Sequence, residues 1–158
     1  MENYLITADL KHFLENKEFI YVGTTNPDGR VNVAPKFLVK TENDNIYLAD
    51  FVFGKTWENL QVNHYVSLAT SDTDTLVGFQ INGSVEIIDK GPEYEAMLSV
   101  LDKKEITFSV EKVIKSIERG KKSANHEVVF PDRFIFFKVR VEEIVKIGPT
   151  GKLERKMK

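Results

Sequence analysis

The chain has 158 residues, 42% hydrophobic and 29% charged, the balance of one globular domain rather than a disordered segment. Lys and Arg total 22 against 24 Asp and Glu, a net charge of -2, which excludes the polycationic surface that duplex nucleic acid demands. The absence of Cys and the presence of only His12, His64 and His126 exclude disulfides, thiolate nucleophiles, Cys-ligated metals and a His-rich metal site.

Thr7 is placed to cap a first helix, with Leu10, Phe13 and Leu14 on one apolar face. Phe19 to Thr25 is β-branched and aromatic and reads as a strand. Asn26-Pro27-Asp28-Gly29 is a tight turn, since Pro presets φ and Gly accepts a positive one. The next strand alternates: Val31, Val33, Pro35, Phe37 and Val39 point one way, and Asn32, Ala34, Lys36 and Leu38 the other. A third strand runs over 46–49, and a short helix over 54–63 carries Trp57 and Leu60.

Two more strands follow, Tyr65 to Thr70 and Val77 to Ile88. In the second, Val77, Phe79, Ile81, Val85 and Ile87 hold the inner face, and Gly83 on that face signals a bulge or a close backbone approach. Helical spacing recurs at Tyr94, Met97, Leu98 and Leu101, then at Val110, Val113, Ile114 and Ile117. The outer side of that last helix carries Lys112, Lys115, Arg119, Lys121 and Lys122 and reads as a solvated face. Phe134 to Ile147 is the last strand, and 151–158 a basic, frayed tail.

Strands joined by tight turns pair antiparallel. The expected fold is therefore mainly β, a six-stranded antiparallel split barrel with flanking helices, forming a single domain over 1–150. Phe134, Ile135, Phe136 and Phe137 put large apolar groups on both faces of one strand. One face fills the barrel, and the other needs a partner subunit or a helix. No stretch reaches the ~18 apolar residues of a membrane helix. The start Met1-Glu2-Asn3-Tyr4 lacks the basic and apolar regions of a secretory signal. The expected location is the cytoplasm.

Ala49-Asp50-Phe51-Val52-Phe53-Gly54-Lys55-Thr56 fits a relaxed phosphate-loop pattern between strand and helix. Its interior is Phe-Val-Phe rather than glycine-rich, and a parallel sheet of alternating strands and helices is missing from the pattern. A triphosphatase is therefore rejected. Gly54-Lys55-Thr56 still places an ammonium and a hydroxyl in the first turn of a helix, which suits a single phosphate. The alternative is that Thr56 caps the helix and Lys55 is a solvated charge.

Lys55-Thr56-Trp57-Glu58-Asn59-Leu60, followed by Asn63-His64-Tyr65-Val66-Ser67-Leu68, resembles the phosphate-binding helix and next strand of the pyridoxamine 5'-phosphate oxidase-like split barrels. Tyr21-Val22-Gly23-Thr24-Thr25 with Asp28-Gly29, Gly78 to Val85, and Gly91-Pro92-Glu93-Tyr94-Glu95-Ala96 are similar to that family too. The resemblance covers Thr7 to Met97.

The resemblance implies a homodimer with FMN at the subunit interface, acting as an oxidoreductase or electron-transfer flavoprotein on a small substrate or redox partner. It implies that Lys55 and Thr56 hold the FMN phosphate, with Asn59 in support. Ala34, Pro35 and Lys36 would lie along the flavin or its ribityl chain, beside Asp50 and Phe51. Gln80 and Asn82 would face a flavin, or else a solvated sheet face. The chain departs from the vitamin-synthesising oxidases in its last strand, which has no His. It also has Lys-Thr where those enzymes have Arg-Lys before the Asn-Leu. The competing class is a non-catalytic module of the same fold that stores or senses a flavin or another cofactor.

Overall fold

The computed structural model describes residues 4–51, 53–104 and 134–158. Helix α1, Ala8–Glu15, starts at Thr7, whose hydroxyl accepts from the Leu10 N–H at 3.4 Å. Its Leu10 and Leu14 turn inward and are buried. Strands β1, Phe19–Thr25, and β2, Val31–Glu42, form the first hairpin. Gly29 closes its turn at φ 85°, donating to the Asn26 carbonyl at 2.9 Å.

Strand β3, Asn45–Asp50, pairs with β2, and helix α2, Lys55–Leu60, follows. Strands β4, Tyr65–Asp72, and β5, Val77–Ile88, make the next hairpin. Helix α3 covers 92–104 in the described residues. Strand β6, Ile135–Ile147, pairs with both β5 and β3. That second pairing closes β3-β2-β1-β4-β5-β6 into a six-stranded barrel, antiparallel throughout.

The β5–β6 register slips between Asn82 and Gly83. A Cβ on Gly83 would run into the Arg140 carbonyl, so this glycine is the close approach its place on the apolar face suggested. The end of the chain corrects the expected frayed tail. Strand β7, Leu153–Met157, pairs with β6, and all five of its residues are exposed. Beyond it, the Lys158 ammonium lies 3.2 Å from buried Asp44, whose carboxylate also accepts from the Leu5 and Ile6 N–H groups. One carboxylate thus ties both chain ends to the β2–β3 turn.

Two apolar clusters share the barrel wall. The inner one joins Leu14, Ile20, Leu48, Ile81 and Phe137 inside the barrel. The outer one joins Phe37, Val39, Tyr47, Phe136, Met97 and Leu101 beneath α3. The aromatic run on β6 is divided between them: Ile135 and Phe137 face inward and Phe136 outward, each 5% exposed or less. Helix α3, not a partner subunit, covers the second face. The helix expected over 110–117 and its basic residues lie outside the described residues.

Candidate functional site

Alternation along β2 decides which candidate residues meet. Asn32, Ala34 and Lys36 stand opposite Thr24, Val22 and Ile20, which are at most 2% exposed, so the three face the barrel interior. One step past the Phe37–Ala49 pair of the β2–β3 register, Lys36 stands beside Asp50. Their charged atoms lie 2.7 Å apart, and the side chains are only 9% and 6% exposed. Burial of that kind requires a partner, because a lone desolvated charge is strongly unfavourable.

The chain then crosses back from the end of β3 to α2 above the same face. Gly54, not Thr56, is the N-cap of α2, and no side chain caps the helix. Thr56 is 2% exposed and accepts from the Asn32 side-chain amide at 3.2 Å. Its own O–H remains a donor, since a hydroxyl both accepts and donates. Asn59, 1% exposed, donates to the Thr24 hydroxyl at 3.0 Å. These two hydrogen bonds fasten α2 to β2 and β1.

Lys55 points to solvent. Its ammonium meets Glu58 at 3.0 Å with both side chains about half exposed, a pairing weak enough to be exchanged for a stronger anion. Phe51 and Phe53 are exposed by 44% and 43%. Phe51 meets Phe134 edge-on at 6.5 Å, and Phe53 meets Trp57 edge-on at 5.5 Å. Aromatic groups thus stand on both sides of the crossing between β3 and α2.

One end of the barrel therefore gathers Ala34, Lys36, Asp50, Phe51, Lys55, Thr56 and Asn59. The remaining three candidates stand on the other side of the wall. Pro35 lies opposite exposed Tyr21, and Gln80 and Asn82 pair with Ala69 and Ser67 of β4. There the Asn82 side chain accepts from Ser67 at 2.7 Å and donates to Glu143 at 2.5 Å. Arg155 of β7 reaches the same Glu143 at 2.9 Å. Asn32 and Thr24 are not among the sequence candidates, although they hold Thr56 and Asn59 by hydrogen bonds. The alternation that paired Ala34 with Lys36 already put Asn32 on their face, so this signal was readable.

A second charged group sits under α3. Tyr47 and Lys138 both donate to Glu93, at 3.1 and 2.9 Å. The Lys138 hydrogen bond holds the Glu93 carboxyl below its usual pKa, with Tyr47 adding to the effect. Burial, then the bond to Glu93, pushes the Tyr47 phenol up. The bond to Glu93 also pushes Lys138 up.

The family described as pyridoxamine 5'-phosphate oxidase matches residues 6–144, and the chain belongs to it. No curated protein sequence matches. Among solved structures, a Clostridium acetobutylicum protein related to general stress protein 26 superposes with a TM-score of 0.70 at 15% identity, covering 99% of this chain and 96% of that one. A pyridoxamine 5'-phosphate oxidase-related, FMN-binding protein of Nostoc punctiforme gives 0.61 at 10% identity, covering 100% and 99%. A haem-binding protein of Mycobacterium smegmatis gives 0.61 at 14%, covering 90% of this chain and 54% of that one. At these identities the likeness is one of fold. Among the described residues, no helix is long and apolar enough to cross a membrane.

Proposed function

We propose that this chain is an FMN-binding flavoprotein. It works in the cytoplasm as a homodimer and passes electrons to or from a small substrate or redox partner. The observation that carries the reading is the gathering of Lys36, Asp50 and Phe51 with Lys55 and Thr56 at one barrel end. Asn32 and Lys36 are separated along β2 by roughly 13 Å, two steps of the strand's same-face spacing. A ligand with an anionic end and a planar end suits that length. The anionic end finds donors in Lys55 and the Thr56 hydroxyl, and the planar end finds Phe51 and the methyl of Ala34. The Nostoc protein is named for binding FMN, which agrees with this donor set.

The haem reading, suggested by the mycobacterial neighbour, is weaker. The gathered residues include no His, Cys, Met or Tyr to hold an iron.

In this reading the flavin supplies the electron-transfer chemistry. Lys55 exchanges Glu58 for the phosphate, and Thr56 donates its O–H while Asn32 holds its oxygen. Asn59 and Thr24 keep α2 fixed on the barrel. Exposed Tyr21, Val31 and Val33 form the surface for the second subunit.

Titration with FMN and with riboflavin, followed by flavin fluorescence, tests the assignment. FMN is expected to bind at least about tenfold more tightly, the worth of one charge-assisted hydrogen bond. Equal affinity for both would remove the phosphate from this site.

A further inference from the structure

We infer that the cavity between α1 and the β6–β7 ribbon is a second ligand site, one that takes a small organic monocarboxylate. The apolar body of the ligand lies on the cavity floor, and its carboxylate lies between Lys146 and Lys156. The inference does not rest on the flavin reading. Asp44 holds Leu5 at the β2–β3 turn, whereas α2 follows the other end of β3. This cavity therefore opens at the barrel end away from Lys55 and Thr56.

The register builds the wall. Ile144 stands opposite Lys156, and Lys146 opposite Glu154, in the β6–β7 pairing. Lys146 also stands opposite Phe79 of β5. Residues directly opposite, and residues two apart on one strand, share a face. All five thus point to one side of the sheet, where they meet Leu5 and Leu10 around a cavity of about 200 Å³. Leu5, Leu10, Phe79 and Ile144 are each less than a tenth exposed and belong to the inner core, so the floor is apolar. The volume exceeds what a single water needs. It falls below the roughly 300–1,000 Å³ of sites for drug-sized molecules. A short chain or a single ring suits it.

Charge selects the other end of the ligand. Lys146 and Lys156 are diagonal neighbours across the ribbon, ~7–8 Å apart at the backbone. Two flexible stems close that span onto one carboxylate, each giving a charge-assisted hydrogen bond. Glu154, the carboxylate opposite Lys146, lies 3.5 Å from Lys152. Among the described residues, no ion pair engages Lys146 or Lys156. Asp9 lines the cavity from the α1 side, in the first turn of that helix, where a carboxylate is favoured by the helix N-terminus. The ribbon side is left with two ammonium groups above an apolar floor. Strand β7 fits this reading. All five of its residues are exposed, so apolar burial gives no reason for the strand, whereas it supplies Lys156 and one wall of the cavity.

Methyl NMR of the unaltered protein, titrated with octanoate, reads the site through Leu5, Leu10 and Ile144. Exposed Leu153 and Val62 serve as controls. Saturable shifts are expected at the first three and not at the controls. Octanol, which lacks the charge, and acetate, which lacks the apolar body, are each expected to bind at least about tenfold more weakly. Lys146→Met/Lys156→Met should weaken octanoate binding by about tenfold or more and leave octanol within about twofold. Both positions are exposed, so the fold should persist. Shifts that miss Leu5, Leu10 and Ile144, or that spread equally over Leu153 and Val62, overturn the inference. An octanoate affinity that is no better than that of octanol, or that survives the loss of both lysines, overturns it as well.

Discussion

The strand β6 and the hairpin β1–β2 carry apolar residues on both of their faces, and the two regions treat the outward set differently. On β6, Phe136 turns out of the barrel and is 0% exposed because Met97, Leu101 and Tyr94 of α3 cover it. On the hairpin, Tyr21, Val31 and Val33 turn out and are 58%, 71% and 62% exposed. Pro35 lies between Tyr21 and the rest of that face, and Tyr65 of β4 extends it at 66% exposure. The chain thus spends a helix on one apolar face and leaves the other open. The β6 run is internal, so the second copy proposed above is assigned to the open hairpin face, where exposed apolar groups share one sheet surface.

The sharpest way to break the comparison is to truncate one residue from each region. Phe136→Ala empties a fully covered site and is expected to cost about 3–5 kcal/mol. Val33→Ala, on the open face, is expected to change the stability of the single subunit by no more than about 0.5 kcal/mol. Urea unfolding at a concentration low enough to separate subunits measures both. Similar costs for the two would mean that the open face is covered in the isolated subunit too.

Much of this contrast could be read from the chain, and the missing part has a physical reason. Period-two alternation placed Phe79 and Ile81 inside and grouped Lys36 with Asn32, Ala34 and Leu38 on one face of its strand, without saying which face looks inward. It assigned residues to two faces but could not say what lies over each, because cover comes from elements distant in sequence. Met97 and Leu101 have the spacing of any amphipathic helix, with nothing local to direct them to Phe136. The same limit applies at the candidate site. Lys36 and Asp50 were each visible as candidates, but their pairing depends on the β2–β3 register, which skips a residue between Leu38 and Lys40. Lys152 to Lys158 looked like a solvated tail because every residue of β7 is exposed. A strand held by backbone pairing and by a charged contact such as Arg155 to Glu143 leaves no apolar pattern to find.

The second prediction sharpens the comparison at the ligand. Lys55 is exposed like the hairpin face, so its loss should leave the fold intact. Lys55→Ala is expected to weaken FMN binding by about 1.5–3 kcal/mol, one charge-assisted hydrogen bond. Alanine is a good helix former, so α2 should persist. Fluorescence titration of FMN, with circular dichroism as the check on folding, gives both numbers. An unchanged affinity in a folded variant would move the phosphate elsewhere.

A smaller effect is expected at the open face if the proposed second subunit docks there. Val33→Asp places a charge among Tyr21, Pro35 and Val31 without disturbing the barrel interior. It should weaken self-association by at least about tenfold, or about 1.4 kcal/mol. Sedimentation over a concentration series measures it. If the flavin pocket is completed by the second subunit, added FMN should shift the same series toward the dimer. A variant that associates as strongly as the unaltered chain would leave the hairpin face without this role.

The smallest effect concerns what keeps the cover on the closed side. Glu93, near the start of α3, receives hydrogen bonds from Lys138 of β6 and Tyr47 of β3. The Lys138 bond, followed by the Tyr47 bond, lowers the Glu93 pKa against the opposing pull of burial. A carboxyl depressed in the folded state adds stability that is fully present above its unfolded value of 4.5 and is lost as pH falls through the folded value. Lys138 is raised above 10.5, so its share is lost only as pH rises past that range. Between these limits the tie is constant, and the acid side is where it fails. The Glu93 side chain is 39% exposed, so water screens the interaction and its worth should stay below about 1 kcal/mol. Thermal unfolding of the unaltered chain and of Glu93→Gln across pH 3 to 8 tests this. The variant is expected to be slightly less stable at neutral pH, and the difference should vanish as the carboxyl protonates. A gap that persists unchanged at the acid end would mean that the Glu93 charge adds nothing to the cover over Phe136, which would then rest on the apolar packing of α3 and on its Tyr94 and Lys104 hydrogen bonds.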